Sequence, residues 1–207
     1  KGFCSDLSDY SILSFLVIRD IFQKNNLKHF DIGSSVEMFI LPLSAAGIKV
    51  TLLDIRETNF LDNFQVKNRV FDACKLDERN LLLFKKERIR SLSCIHAIEH
   101  FGLGRYGDQI DPKAQEKFIL NIARILSKNA IFYLGIPIGN NELYFNSHRL
   151  MSLDFYINLV SRFFEVDTIF GVDPKKENKY TKLNLKKNSK SFKRNDFVAA
   201  LLILRRK

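Results

Sequence analysis

His29-Phe-Asp-Ile-Gly-Ser-Ser35, followed after a helix-like interval by Ile48-Lys-Val-Thr-Leu-Leu-Asp-Ile55, is the stretch on which the fold turns. The first run is short, apolar and closed by a glycine. Residues 36–46 then read as a helix that stops at Gly47, and 48–55 is a β-branched run ending in an acid, the texture of a strand buried on both faces. Strand, helix, strand over so few residues implies a right-handed crossover and a parallel sheet covered by helices.

The pattern repeats outward from this unit. Residues 66–73 and 91–98 read as strands with a helix at 78–88 between them. Asp111 and Pro112 read as the N-cap and first-turn residue of a helix whose apolar face is Phe118, Ile119, Ile122, Ile125 and Leu126. A strand at 130–136 is expected to stop at Pro137, and a capped helix at 152–163 precedes strand-like runs at 164–170 and 197–204. Upstream, Ser8 or Asp9 caps a helix with Ile12, Phe15, Leu16, Ile18 and Phe22 at helical spacing, so residues 1–27 form an N-terminal helical segment. The expectation is one domain over residues 1–207, an α/β three-layer sandwich of Rossmann-like type.

The chain carries 33 Lys and Arg against 23 Asp and Glu, a net charge of +10. That excess is local. Residues 174–194 hold nine basic residues and one Glu, the last three residues add three more positive charges, and the rest of the chain sums to −1. A run of this kind reads first as a solvated loop, here 174–196 between the last two strands. Only Tyr180 and Phe192 offer rings for stacking on bases, so nucleic acid is not the expected partner, and the basic loop instead suits an anionic acceptor or a peripheral membrane surface.

Three cysteines, Cys4, Cys74 and Cys94, are too few and too scattered for a disulfide framework or a cysteine zinc site, and they suit a reducing, cytoplasmic setting. The longest apolar runs fall short of the roughly 20 residues that span a bilayer, so no transmembrane segment is expected. Residues 11–18 imitate a signal core, but the preceding residues are Asp6 and Asp9 where a cationic segment is required.

In a parallel sheet of this kind ligands bind beyond the carboxyl ends of the strands. The residues ending the strands form a series: Asp31 to Ser35, then Asp54 and Ile55, then Asp72 and Ala73, then His96 ahead of Glu99 and His100. Gly33 lets backbone approach a ligand, and Asp54, 21 residues later, is placed to accept both hydroxyls of a ribose. There is no G-x-G-x-x-G, because Ser35 and Glu37 stand at the later glycine positions, and no G-K-[ST]. A nucleoside without a pyrophosphate therefore fits best, with Asp72 near the adenine amine.

These residues carry a resemblance. The order D-x-G-S, strand-ending Asp54, Asp72-Ala73 and H-A-I-E-H resembles the class I S-adenosylmethionine (SAM)-dependent methyltransferases. More narrowly, DIGSS (31–35), HAIEHFGLGRYGDQIDP (96–112), YLGIPIG (133–139) and FNSHR (145–149) resemble a domain-of-unknown-function family of that superfamily whose bacterial members often accompany surface-polysaccharide genes. The resemblance covers roughly 10–173 and the last strand. It implies a seven-stranded, mostly parallel sheet with an antiparallel last strand and SAM held at Asp31, Gly33, Ser34, Ser35, Asp54, Ile55, Asp72, Ala73 and His96.

Methyl transfer to a hydroxyl needs an aligned acceptor and a base. His100 and His148 are the candidate bases, and Glu99 and Asp108 the candidates to orient them. Arg105 and Arg149 suit an anionic acceptor, Tyr106 the pocket wall; each of these residues also has a structural role as its competing reading, Glu99 with Arg149 as a loop-fixing ion pair. His29 reads as structural. The expected activity is O-methylation of a sugar hydroxyl in surface-glycan biosynthesis, since N-P-P-[YF], the mark of base amine methylation, is replaced by Ser93-Cys-Ile-His96. Two alternatives come from other classes: a binding or scaffold module that keeps the fold without catalysis, and a metal-dependent hydrolase using His96, Glu99 and His100 as an H-x-x-E-H motif.

Overall fold

The computed structural model describes residues 9–57, 64–172, 180–182 and 197–207. Cys4, Asp6 and Ser8 lie outside the described residues, as does the basic stretch apart from residues 180–182. In chain order the elements are α1 (Asp9–Gln23), β1 (Lys28–Ile32), α2 (Leu41–Ala45), β2 (Lys49–Asp54), β3 (Val66–Val70), α3 (Glu78–Glu87), β4 (Ile89–Ile95), α4 (Ala114–Ile125), β5 (Leu126–Ile138), β6 (Glu142–Tyr144), β7 (His148–Leu150), α5 (Leu153–Ser161), β8 (Phe164–Val172), β9 (Tyr180–Lys182) and β10 (Val198–Arg206).

The main sheet runs β3-β2-β1-β4-β5-β10-β8-β9. β1 to β5 are mutually parallel where they pair, and β10 is antiparallel to both of its neighbours. This is the seven-stranded, mostly parallel sheet with an antiparallel last strand that the sequence predicts, extended at one edge by the three-residue β9 paired to β8. Strand order reverses between β1 and β4, which opens a crevice above their carboxyl ends.

Side chains alternating across the strands make two cores. Leu13, Val17 and Ile21 of α1 and Phe39, Ile40 and Leu43 pack on the face formed by Val50, Leu52, Tyr133 and Leu201. Phe84 of α3, Phe118 and Ile122 of α4 and Tyr156 and Val160 of α5 cover the other face, on Leu53, Cys94, Phe132 and Leu202. Both helix layers are therefore held by the hydrophobic effect, and the strands between them are apolar on either side.

Local expectations need correction at several points, beginning with the strands expected at 66–73 and 91–98, which stop at Val70 and Ile95. β5 does not stop at Pro137 but runs through it to Ile138. The Gly135 carbonyl accepts from His96 N, so Gly135 faces β4; the Pro137 nitrogen faces the same side, where β4 has already ended at Ile95, and no ladder hydrogen bond is lost. α4 starts at Ala114, because Asp111 forms a turn with its side chain accepting from Lys113 N at 2.9 Å. The 36–46 helix opens with a wide π turn over Val36–Ile40, capped by the Ser35 hydroxyl, before α2. The hairpin β6–β7 is absent from the sequence reading, and it proves to support the site.

Candidate functional site

The loop after β1 is fixed from beneath by buried polar groups. The Asp31 carboxylate accepts from Ser34 N at 3.0 Å, from the Ser34 hydroxyl at 2.7 Å and from the Ser93 hydroxyl, and Ser34 Oγ in turn accepts from Ile95 N. His29, wholly buried, hydrogen-bonds Ser91 through Nδ1 at 2.7 Å and Ser93 through Nε2 at 2.8 Å. With Asp31 ionised, the Ser93 proton points at the carboxylate. His29 Nε2–H must then donate to Ser93, and Nδ1 accepts from Ser91. Burial pushes the Asp31 carboxyl up to about 7 against these donors and drives His29 down to about 3. Tyr10 of α1 closes the far side, donating to the Ile95 carbonyl at 2.8 Å and accepting from Ser35 N at 2.6 Å.

Above this base lies a pocket across the ends of β1, β2 and β4. Its floor is apolar, from Ile32, Leu53, Phe71 and Ala97, and its rim carries Gly33, Asp54, Ile55, Asp72, Ala73, His96, His100, Tyr106 and Asp108 from the predicted set. Gly33 is at φ +66°, and a Cβ there would stand 3.3 Å from that of Ala97, so glycine keeps the wall open. Asp31, Ser34, Ser35, Glu99, Arg105, His148 and Arg149 are not on the pocket wall. Asp31 and Ser34 shape the loop from beneath, and Ser35 caps the following turn.

The 96–112 segment folds over the pocket as a tight loop. Asp108 accepts from Gly102 N at 2.7 Å, Gly104 N at 3.4 Å and Tyr106 N at 3.2 Å, which makes it the organiser of the loop. Buried Arg149, on β7, donates to the Phe101 carbonyl and not to Glu99, so the competing reading of a Glu99–Arg149 ion pair gives way to a tie between the hairpin and the loop. His96, at φ +50°, hydrogen-bonds through Nδ1 to Glu99 Oε1 at 3.2 Å.

His100 is held differently. Its Nδ1 lies 2.6 Å from the Ser147 carbonyl, which can only accept, so Nδ1 carries the proton and Nε2 of the neutral ring keeps its lone pair. Glu99 Oε1 lies 3.9 Å from that Nε2, and the Tyr106 ring meets the imidazole edge to face at 5.7 Å. His148 stacks on Tyr144 at 4.9 Å and its Nδ1 meets Ser147 Oγ at 2.8 Å. Of the two candidate bases, only His100 lines the pocket.

Among the described residues no three His, Cys, Asp or Glu side chains converge as a metal site. His96 follows β4 and His100 ends a short 3₁₀ turn at Ile98–His100, so they do not share the helical face that the inverted zinc motif requires. No helix among the described residues is long and apolar enough to cross a membrane.

Sequence reasoning missed two residues central to this geometry. Ser147 orients His100 from a hairpin 47 positions away; it lies inside the FNSHR motif, but only the positive φ of Asn141 and Asn146 shows the turn that carries it. Arg56 lies across Asp54: its backbone N and Nε donate to Oδ1 at 2.9 and 3.0 Å and its Nη2 to Oδ2 at 2.9 Å. The guanidinium carbon also sits 4.8 Å over the Tyr106 ring.

This sheet order, with a pocket at the switch point, defines the class I SAM-dependent methyltransferase fold, and solved structures bear it out. The 1,6-didemethyltoxoflavin-N1-methyltransferase of Burkholderia thailandensis, solved with 1,6-didemethyltoxoflavin and S-adenosylhomocysteine, matches with a TM-score of 0.61 at 13% identity, over 95% of this chain and 79% of that one. Magnesium protoporphyrin IX methyltransferase from Synechocystis, with bound SAM, matches with a TM-score of 0.57 at 14% identity, over 95% and 79%. The cyclase SpnF matches with a TM-score of 0.65 at 11% identity, over 99% and 83%. At such identities the likeness establishes the fold, which also carries chemistry other than methyl transfer.

Within that fold the chain belongs to the family described as Caenorhabditis protein of unknown function, DUF268, whose model matches residues 40–206. No curated protein matches the sequence.

Proposed function

We propose that this chain is a SAM-dependent methyltransferase that transfers a methyl group to a hydroxyl of a saccharide acceptor, with His100 as the general base. The observation that carries the reading is His100 on the wall of a pocket that also presents Gly33, Asp54 and Asp72, with its Nδ1 held 2.6 Å from the Ser147 carbonyl so that Nε2 is the nitrogen left to face the pocket. In this reading Asp54 holds the ribose, Asp72 the adenine end, Gly33 lets the cofactor approach the sheet, and His96 abuts it. The cofactor, when bound, supplies the methyl group on a sulfonium; the protein's part is to align the acceptor and take its proton at His100 Nε2.

The acceptor assignment is supported by a histidine on the pocket wall that can accept a hydroxyl proton and by the absence of the base-amine motif, and surface-glycan biosynthesis in the cytoplasm is the setting it suggests. Free Cys74 and Cys94 fit a reducing compartment. The test is transfer of labelled methyl from SAM to a cellular saccharide fraction. We expect His100→Gln to lower the rate by roughly 10²- to 10⁴-fold while cofactor affinity is retained. Equal activity of His100→Gln and wild type, or no labelled saccharide, contradicts the assignment.

A second reading, a module that keeps the fold without methyl transfer, is favoured by Arg56, whose side chain and amide occupy most of the acceptor capacity of Asp54.

A further inference from the structure

Arg56 and Asp54 pose a problem of valence. A carboxylate has about four acceptor positions, two on each oxygen. Arg56 N and Nε take both on Oδ1, and Arg56 Nη2 takes one on Oδ2. One position remains, whereas a ribose diol brings two hydroxyl donors. If Asp54 receives the ribose, Arg56 must give up at least its side-chain hold on Oδ1.

The surroundings indicate where the guanidinium goes. Its carbon is already 4.8 Å over the Tyr106 ring, and the Arg105 guanidinium carbon is 5.4 Å from the same ring, with Arg105 Nε donating to the Tyr106 hydroxyl at 3.1 Å. The other carboxylates on the pocket rim are engaged: Asp108 by three loop amides, Asp72 by Cys74 N with Lys75 at 3.6 Å, and Asp111 by Lys117 at 2.6 Å. An Arg56 whose Nε has left Asp54 shares the Tyr106 ring with the Arg105 guanidinium, and among the described residues the other rim carboxylates already have partners. Two guanidiniums gathered on one ring suit a phosphoryl group, whose three oxygens serve two bidentate pairs, better than a carboxylate, whose two oxygens serve one.

We propose that Arg56 is a two-position side chain: it closes Asp54 when the pocket is empty, and when the ribose takes Asp54 it joins Arg105 to bind a phosphoryl group of the acceptor. The inference rests on the cofactor reading above. It makes binding ordered, cofactor before acceptor, and it couples the two sites positively, each ligand tightening the other by the same factor.

The experiment is calorimetric titration of S-adenosylhomocysteine into the full chain, with and without inorganic phosphate at matched ionic strength. Arg56 is half-exposed, so Arg56→Ala is expected to fold. Its expected behaviour is S-adenosylhomocysteine binding about fivefold tighter than wild type, because a competitor for Asp54 is gone. Phosphate should tighten binding to wild type by a similar factor and leave Arg56→Ala unaffected. Arg56→Ala that binds equally or more weakly overturns the exchange and leaves the cofactor reading standing. A wild type that phosphate does not affect overturns the acceptor half. Wild type that fails to bind S-adenosylhomocysteine overturns the cofactor reading and this inference with it.

Discussion

Asp31→Asn and His29→Gln should tilt the pH dependence of stability in opposite directions from the wild type. The His29 ring is held down to about 3 by burial, below its ordinary 6.5, so between those values the unfolded chain binds a proton that the folded chain refuses. Stability from this group rises with pH across that window. The Asp31 carboxyl is pushed up to about 7 from 3.8, so between those values the folded chain keeps a proton that the unfolded chain has lost, and stability from this group falls as pH rises. In the wild type the two slopes oppose each other between about 4 and 6.5 and largely cancel. Removing Asp31 exposes the rising slope of His29, and removing His29 exposes the falling slope of Asp31, each at about 1.4 kcal/mol per pH unit. Urea unfolding at pH 4.5 and 6.0 measures both. Variants whose slopes match that of the wild type would show that burial does not shift His29 and Asp31 in these opposite directions.

Gly102→Ala should be the most damaging single substitution in the loop over the pocket. Gly102 sits at φ +71°, and a Cβ there would lie 2.2 Å from the Asp111 carbonyl oxygen and 2.6 Å from the Ala114 Cβ, both fixed by the start of α4. The residue also closes the loop at its base, donating to Asp108 and accepting from Asp111 N at 3.0 Å. Backbone strain and overpacking together are expected to cost about 3 kcal/mol or more. Gly107→Ala is the control: φ is +80° but no atom lies within 4 Å of its Cβ, so only the conformational cost of about 1 kcal/mol applies. Equal losses in the two variants would mean that the contact with Asp111 yields, and that the loop is not anchored where Gly102 places it.

The contrast between these residues explains what the sequence made legible. Asp54 ends its strand, and Gly33, Asp72 and His96 follow theirs by one or two residues; a parallel sheet gathers strand ends at one edge, so their meeting follows from order alone. The two cores follow equally from alternation, as Leu52 and Leu53 show by entering opposite layers. What stayed hidden depends on contacts between distant or competing polar groups. Nothing in the spacing of His29 and Ser93, 64 residues apart, says that their side chains meet across β1 and β4. Asp31, Ser34 and Ser35 belong to the right motif, yet the polar atoms of Asp31 and Ser34 turn inward to the protein and the Ser35 hydroxyl caps the following turn. Arg56 was the reverse case. It adjoins a predicted ligand, but sequence cannot say whether an arginine two residues on points to solvent or folds back onto the carboxylate.

The central claim, a nucleoside cofactor seated on Asp54, is tested most directly by titrating S-adenosylhomocysteine into wild type and Asp54→Ala. Two hydrogen bonds to a charged carboxylate contribute roughly 1.5–3 kcal/mol each, so the predicted result is saturable binding to wild type and a loss of roughly 100-fold or more in the variant. No binding to wild type at saturating ligand, or undiminished binding to Asp54→Ala, would contradict it.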